Sequence, residues 1–254
     1  MRTCIAGRAR RSWLVGAMVT IAAAAPLGAQ GAGNGYLFGA PSGGLTIRAG
    51  WFIASASSDF YEEAGRDLTL GKGDFAGPTI GAEAAFRVTP QLDLTFDGGW
   101  SSANPKSHYK DLVDNNNQEI EQSTSLRRVP LTVNLKAYLT PRGRSVGSLA
   151  YIPAAVVPWV GIGGGATWYK LRQTGDFVVK STNEVVGQTY ESSGWGPALQ
   201  GMGGVNVTVT PRIALTGDAR YLWSRASMED NTAFEGLKID LSGVSVALGL
   251  TFRL

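Results

Sequence analysis

Cysteine is nearly absent from this 254-residue chain. The one cysteine, Cys4, precedes an apolar run close to the amino terminus. If the amino-terminal segment that contains Cys4 is removed, the remaining chain has no thiol, which excludes disulfides and thiol chemistry. No calcium-loop pattern is present, and we expect neither a metal nor a cofactor.

Long hydrophobic runs are also missing. The run over residues 13–27 contains Pro26 and is shorter than the about 20 apolar residues that a transmembrane helix needs. Arg2, Arg8, Arg10 and Arg11 precede it, and small residues follow before Gln30. This layout is typical of a secretory signal peptide. We predict a cleaved signal peptide over 1–29, a flexible glycine-rich lead-in over 30–44, and a folded domain over 45–254.

The predicted mature chain has no excess of one charge. Four of the 23 basic residues lie in residues 1–29, and the 19 that remain face 20 acidic residues. The sequence pI of about 9.0 is therefore largely a property of the signal peptide. A near-neutral domain gives no reason to expect nucleic acid as a partner.

The domain is rich in two-residue alternation, which predicts strands with one apolar and one polar face. It occurs in eight segments: 45–55, 78–88, 92–101, 124–139, 156–171, 195–209, 213–224 and 244–254. Glycines leave the faces of the fifth segment nearly unmarked. There we expect Val160, Ile162, Ala166 and Trp168 to point outward.

The connections between these segments alternate in length. Short turns with proline occur at 89–91 and 210–212, and the connection at 140–155 opens with the same Thr-Pro pair but is longer. The connections at 56–77, 102–123, 173–194 and 225–240 are long and polar. This asymmetry is typical of outer-membrane barrels, which have to close because lipid cannot satisfy an open sheet edge. We predict an all-β fold, an eight-stranded antiparallel transmembrane up-and-down β-barrel, with a soluble β-sandwich as the alternative.

The aromatic residues discriminate between these two folds. They gather towards strand ends in two sets, as expected of girdles at two membrane interfaces, whereas a sandwich would gather them in one mid-strand core. The set near the long loops is Trp51, Trp100, Trp168, Tyr169, Trp195, Tyr221 and Trp223, and the set near the short turns is Phe86, Tyr138 and Phe252.

The opposite strand faces carry equal numbers of cations and anions: Arg48, Arg87, Lys136 and Arg220, with Glu83, Asp93, Asp97 and Asp218. On a sandwich these residues would form a solvated exterior. In an eight-stranded barrel they point into a lumen that side chains can fill. Enclosed charges have to be paired, and the equal numbers permit a lumen charge network.

Three stretches resemble the outer-membrane β-barrel domain superfamily, which includes the transmembrane domain of outer-membrane protein A, its small loop-rich relatives and the W-type proteins. They are residues 158–169, the strand, Thr-Pro turn and strand of 201–221, and the last strand. The resemblance implies a carboxy-terminal assembly signal, which Gly249, Phe252 and Leu254 fit. Ala247 departs from it, because a polar residue is usual there, and Leu254 stands where an aromatic residue is usual.

Two motifs suggest chemistry. The glycines of 161–165 lack the lysine and the following helix of a phosphate-binding loop, and we expect them to allow close packing or a bend. His108 lies beside Ser107, near Asp111 and Asp114, and lipid A-modifying barrel enzymes use a histidine with a serine and a carboxylate. The spacing of these residues does not fix the geometry of such a site. Consecutive strand residues point apart, so we expect a solvated loop histidine and no catalytic residues.

Two functional classes follow, both in the bacterial outer membrane after export. The first is a structural or surface-interaction scaffold with a filled, charged lumen and loops that contact an extracellular ligand. The second, implied by the W-type resemblance, is a small channel or transporter for ions or apolar molecules, and a lipid A-modifying enzyme is third. Expected partners are outer-membrane lipid, lipopolysaccharide and the barrel-assembly machinery. The balanced lumen favours the scaffold.

Overall fold

The computed structural model describes residues 35–58, 61, 65, 69–113, 119–147, 149–179, 184–228 and 238–254, so the predicted signal peptide lies outside it. We number the eight long strands in chain order: β1 (Gly43–Ala54), β2 (Gly77–Thr89), β3 (Leu92–Ala103), β4 (Glu119–Tyr138), β5 (Val156–Val179), β6 (Glu184–Thr208), β7 (Ile213–Ser227) and β8 (Gly243–Arg253). Within this part of the chain, no helix is long and apolar enough to cross a membrane.

The eight strands close into a ring. Each strand pairs antiparallel with the next one in the chain, and β8 returns to β1 through pairs such as Leu248↔Ala49. Closure leaves the body of the sheet without an edge. The predicted eight-stranded antiparallel up-and-down barrel is therefore confirmed.

Alternation along each strand sorts the side chains between two environments. On β7, every second residue from Ala214 to Ala226 is buried, while Tyr221 and Trp223 between them are about half exposed. The buried positions include Thr216, Asp218 and Arg220. The lumen is thus the polar side of the sheet, and the exterior is the apolar side.

The short-turn end carries a small sheet of its own. The β4–β5 connection contains the strands Gly143–Val146 and Ala150–Pro153, which pair with each other. Leu37–Phe38, in the segment that we expected to be a flexible lead-in, pairs with the second of them. This connection is therefore longer than the other short-turn connections because it contains a β-hairpin.

The strands extend farther at the long-loop end than the alternation indicates. The β5–β6 ladder continues through pairs such as Gln173↔Tyr190, inside a region that we predicted to be a loop. A further strand, Lys106–Val113, lies beside the start of β4, and Lys238–Asp240 pairs with the end of β7. Hydrophobic alternation did not predict these extensions because polar residues interrupt the apolar pattern on both of their faces.

The glycines of β5 allow a close approach to β4. A Cβ atom on Gly163 would lie 2.2 Å from Asn134 Oδ1, and one on Gly165 would lie 2.0 Å from the carbonyl oxygen of Leu131. Val160 and Ile162, between the lumen-facing positions, are exposed on the outside as predicted. The glycines therefore serve packing inside the barrel.

Candidate functional site

Arg220 lies at the centre of an ion network in the middle of the lumen. Its guanidinium donates from Nη2 to Glu83 Oε2 at 2.9 Å, from Nη1 to Asp97 Oδ2 at 2.8 Å, and from Nε to Asp218 Oδ1 at 2.8 Å. The fixed fork of an arginine suits several carboxylates at once. One buried side chain on β7 thereby connects to carboxylates on β2, β3 and β7.

Two further cations complete this network. Arg48 of β1 donates from Nη2 to Asp97 Oδ1, and Lys136 of β4 donates from Nζ to Glu83 Oε1, each at 2.8 Å. Three cations thus face three anions, and side-chain donors reach every carboxylate. Multiple pairing of this kind offsets the cost of removing charges from water.

A second ion pair lies nearer the short turns. Arg142, from the β4–β5 connection, donates from Nη1 to both oxygens of Asp93, at 2.8 and 2.9 Å. Tyr138 donates its hydroxyl proton to Asp93 Oδ2 at 2.9 Å. This connection therefore contributes a side chain that occupies the short-turn end of the lumen.

Trp159 of β5 fills the space between these two charged groups. Its ring centre lies 3.9 Å from Lys136 Nζ, and its Nε1 donates to Asn206 Oδ1 at 3.0 Å. It packs with Tyr138, Val157 and Met202. Trp159 and Tyr138 therefore pack next to the ion network.

An apolar cluster fills the lumen at the long-loop end. It comprises Phe52, Ala54, Ala56, Tyr61, Leu70, Phe75, Leu126, Tyr169, Leu171, Ala226, Met228, Ile239 and Leu241. Tyr61 donates its hydroxyl proton to the carbonyl oxygen of Asp240 at 2.9 Å, and burial raises the pKa of this hydroxyl above its ordinary value. Side chains from connections as well as strands therefore close this end.

Arg128 lies beneath this cluster, fully buried. It donates from Nη2 to the carbonyl oxygen of Phe75 at 3.0 Å and from Nε to Ser101 Oγ at 3.3 Å. Its guanidinium carbon lies 4.0 Å from the centre of the Phe52 ring. A backbone carbonyl, a hydroxyl and an aromatic face thus solvate this cation.

Two small cavities lie in the lumen. One cavity of about 50 Å³, on the short-turn side, is bounded by Glu83 and Lys136, and another of about 40 Å³ is bounded by Arg48, Asp97 and Arg220. The ion network lies between them. Each can hold about one or two water molecules.

The structure places seven of the eight predicted lumen charges in buried positions: Arg48, Glu83, Asp93, Asp97, Lys136, Asp218 and Arg220. Arg87 differs, because it is half buried and donates to the carbonyl oxygen of Pro41 at 3.2 Å. Its register partner Asp93 is bound by Arg142 instead.

Eight of the ten predicted girdle residues lie on the outer face: Trp51, Phe86, Trp100, Trp168, Trp195, Tyr221, Trp223 and Phe252. Tyr138 and Tyr169 point into the lumen, and their assignment to the girdle was wrong. Tyr138 has the same parity as Lys136, and Tyr169 has the parity opposite to Trp168, so strand alternation turns both inward.

Among the lumen residues that sequence reasoning missed are Arg128, Arg142 and Trp159. The expected outward direction of Val160 already turns Trp159 inward, so that signal was present. Arg128 follows the same alternation, because Val129 points outward. No alternation exists at Arg142, which lies in a connection and folds back towards Asp93.

The structure describes only part of the candidate histidine site. Ser107 and His108 are consecutive residues of the strand Lys106–Val113, with Ser107 buried and His108 half buried. Asp111 and Asp114 are outside the side chains that the structure describes. Across the described residues, no group of three or more His, Cys, Asp or Glu side chains could hold a metal ion.

The predicted assembly-signal residues lie on β8 and just beyond it. Phe252 and Leu254 are exposed, and a Cβ atom on Gly249 would lie 2.5 Å from the carbonyl oxygen of Ile47. Gly249 pairs with Arg48 and leaves room for it. Recognition of these residues by the assembly machinery stays a prediction.

No protein-family model and no curated protein matches the chain, but several solved structures resemble it. The outer membrane protein OprG from Pseudomonas aeruginosa is 14% identical, with 86% of this chain and 99% of that chain covered and a TM-score of 0.47. Neisserial surface protein A is 14% identical, covering 89% and 100% with a TM-score of 0.39. The outer membrane protease OmpT from Escherichia coli is 13% identical, covering 84% and 94% with a TM-score of 0.34.

These likenesses are too distant to carry an argument about activity. The class of the protein follows from its own geometry, which is a closed eight-stranded β-barrel with a charged lumen filled by side chains.

Proposed function

We propose that this chain is a bacterial outer-membrane β-barrel that acts as a surface scaffold rather than as a pore. The observation that carries the proposal is the inverted barrel, which has an apolar exterior around a closed ion network. Each half of this observation supports a different part of the proposal.

The exterior supports the membrane location. Large apolar side chains are exposed on every barrel strand, and Ile162, Leu248 and Leu199 are 70%, 67% and 58% exposed. A monomeric soluble protein rarely exposes apolar patches of more than a few hundred Å². Lipid is the solvent that suits such a belt, and the aromatic residues near its two edges suit membrane interfaces.

The filled lumen supports the second part of the proposal, that the barrel is a scaffold and not a pore. Arg220, Glu83 and Asp97 span the interior through bonds of 2.8 and 2.9 Å, and an ion would have to separate them to pass. The apolar cluster and Arg142 close the space on either side. What remains available for function is the surface, with its long connections at one end.

Heat-modifiable migration on a gel, combined with membrane fractionation, tests the location. We expect the processed chain in the outer-membrane fraction, migrating faster unboiled than boiled. A processed chain that is soluble in the periplasm without detergent would contradict the proposal.

Planar-bilayer conductance tests the scaffold against the channel. We expect a silent barrel, and we expect Arg220→Gln or Asp97→Asn to increase leakage because the closing bonds are lost. Steady wild-type conductance through correctly folded barrels would favour the channel. The enzyme alternative is tested by the mass of lipid A. We expect the same mass in cells that express the wild type and in cells that express His108→Ala.

A further inference from the structure

We propose that the exterior of β4–β7 at the long-loop end binds the phosphate groups of lipid A, with Arg225 and Lys238 as central contacts. The inference rests on the proposed membrane location and names a lipid partner for the surface.

The first observation is a row of cations just beyond the aromatic girdle. Two residues after Trp168 comes Lys170, which pairs across the strands with Arg127, and two residues after Trp223 comes Arg225. Arg172 follows Lys170 on the same face. Two strand residues span about 7 Å, so these cations lie where headgroup phosphates would begin if the tryptophans mark the interface.

The row has a clear excess of positive charge. Arg127, Lys170, Arg172, Arg225 and Lys238 are its five cations. Two described anions lie among them: Glu191 is exposed, whereas Asp240, the register partner of Arg225, is buried. Glu191 is shared between Lys170 at 3.1 Å and Arg172 at 2.7 Å. Arg225 and Lys238 form no ion pair with any described residue and remain available to an external anion.

The second observation is a groove at the seam between β6 and β7. Their ladder ends at Ala198↔Ser224, and the next residue of β6 is Pro197, which has no N–H to donate. The end of β7 pairs with Lys238–Asp240 instead. The resulting groove of about 690 Å³ is lined by Ser193, Trp195, Pro197, Arg225, Ser227 and Lys238.

The chemistry of this groove matches one occupant. Two unpaired cations and two serine hydroxyls can bind phosphate oxygens, while Trp195 and Pro197 offer apolar surface towards the girdle. A molecule with phosphates above and acyl chains below satisfies both halves. Lipid A has that arrangement, and it fills the outer leaflet in which this end of the barrel would lie.

Binding to purified, folded barrel in dodecylmaltoside tests the proposal, with bound lipid counted by native mass spectrometry. The probe is bisphosphorylated lipid A, and the variant is Arg225→Gln/Lys238→Gln. We expect the affinity to fall about tenfold, since two exposed charge contacts are lost. The matched control, Arg144→Gln/Arg212→Gln, removes two exposed arginines at the opposite end and should bind as the wild type does.

Phosphatase-treated lipid A separates charge recognition from apolar adhesion. Its affinity for the wild type should be no higher than the affinity of intact lipid A for the double variant. Salt at 1 M should weaken the binding of intact lipid A to the wild type and leave the binding of the treated lipid unchanged. Equal binding of intact lipid A to the wild type and the double variant would overturn the site, as would equal binding of treated and intact lipid A. Gel migration of the same samples reports folding, so failure of the barrel itself is distinguishable from failure of the site.

Discussion

Arg220 Nη2 lies 2.9 Å from Glu83 Oε2, although 137 positions separate the two residues in the sequence. Their strands, β7 and β2, are not neighbours in the sheet, because β8 and β1 lie between them. The bond therefore crosses the interior, and it connects parts of the wall that backbone pairing leaves independent. The lumen charges thus connect strands that are not neighbours in the sheet.

Removal of Arg220 should be strongly destabilising. Arg220→Met leaves Glu83, Asp97 and Asp218 with only Arg48 and Lys136, and uncompensated buried charge costs about 3–5 kcal/mol. Urea unfolding in detergent, followed by gel migration, measures this loss. The control is Arg144→Met at an exposed position of the short-turn hairpin, which should change stability by less than about 0.5 kcal/mol. Equal midpoints for the two variants would contradict the network.

Trp159 allows its packing and its hydrogen bond to be separated. Trp159→Ala leaves a cavity beneath Lys136 and should cost about 3–5 kcal/mol. Trp159→Phe keeps most of the packing and removes the bond to Asn206 Oδ1, which still accepts from Thr216 Oγ1 at 3.1 Å, so about 1 kcal/mol is expected. The same unfolding assay compares them, and a Phe variant as unstable as the Ala variant would be the contrary result.

The glycines of β5 should differ from other barrel glycines in their tolerance of alanine. A Cβ atom on Gly165 would lie 2.0 Å from a backbone oxygen of β4, whereas one on Gly201 meets nothing within 4 Å. We expect Gly165→Ala to lower the folded yield or the unfolding midpoint and Gly201→Ala to leave both unchanged. Comparable behaviour of the two variants would mean that β4 and β5 are not so close.

Strand alternation explains how much of the fold the sequence could predict. Exposed residues such as Leu131, Val133 and Leu135 alternate with buried Thr132 and Asn134. This contrast located the barrel strands, although the glycines of β5 left its two faces nearly unmarked. It fails where both faces are polar, as beyond Leu171 on β5. The extensions of β5 and β6 depend on pairing between strands, which a single segment does not reveal.

The lumen was predictable in composition and not in its partners. Equal numbers of cations and anions indicated pairing, but Asp93 lies opposite Arg87 in register and binds Arg142 from a connection. A fold-back of this kind leaves no periodic signal. Tyr138 and Tyr169 show the opposite case, since their parity was available and their closeness to strand ends was weighted too heavily.

Tyr138 and Tyr221 form a matched pair that tests this correction. The Tyr138 hydroxyl donates to Asp93 Oδ2 at 2.9 Å inside the lumen, whereas Tyr221 is 48% exposed on the outer face. Loss of a hydrogen bond to a charged group should make Tyr138→Phe less stable by about 1.5–3 kcal/mol. Tyr221→Phe should change stability by less than about 0.5 kcal/mol, because no buried partner is left unsatisfied. Both variants keep the ring, so urea midpoints measured in the same detergent isolate the hydroxyl. An equal loss of stability for Tyr221→Phe and Tyr138→Phe would contradict the placement of Tyr138 in the lumen.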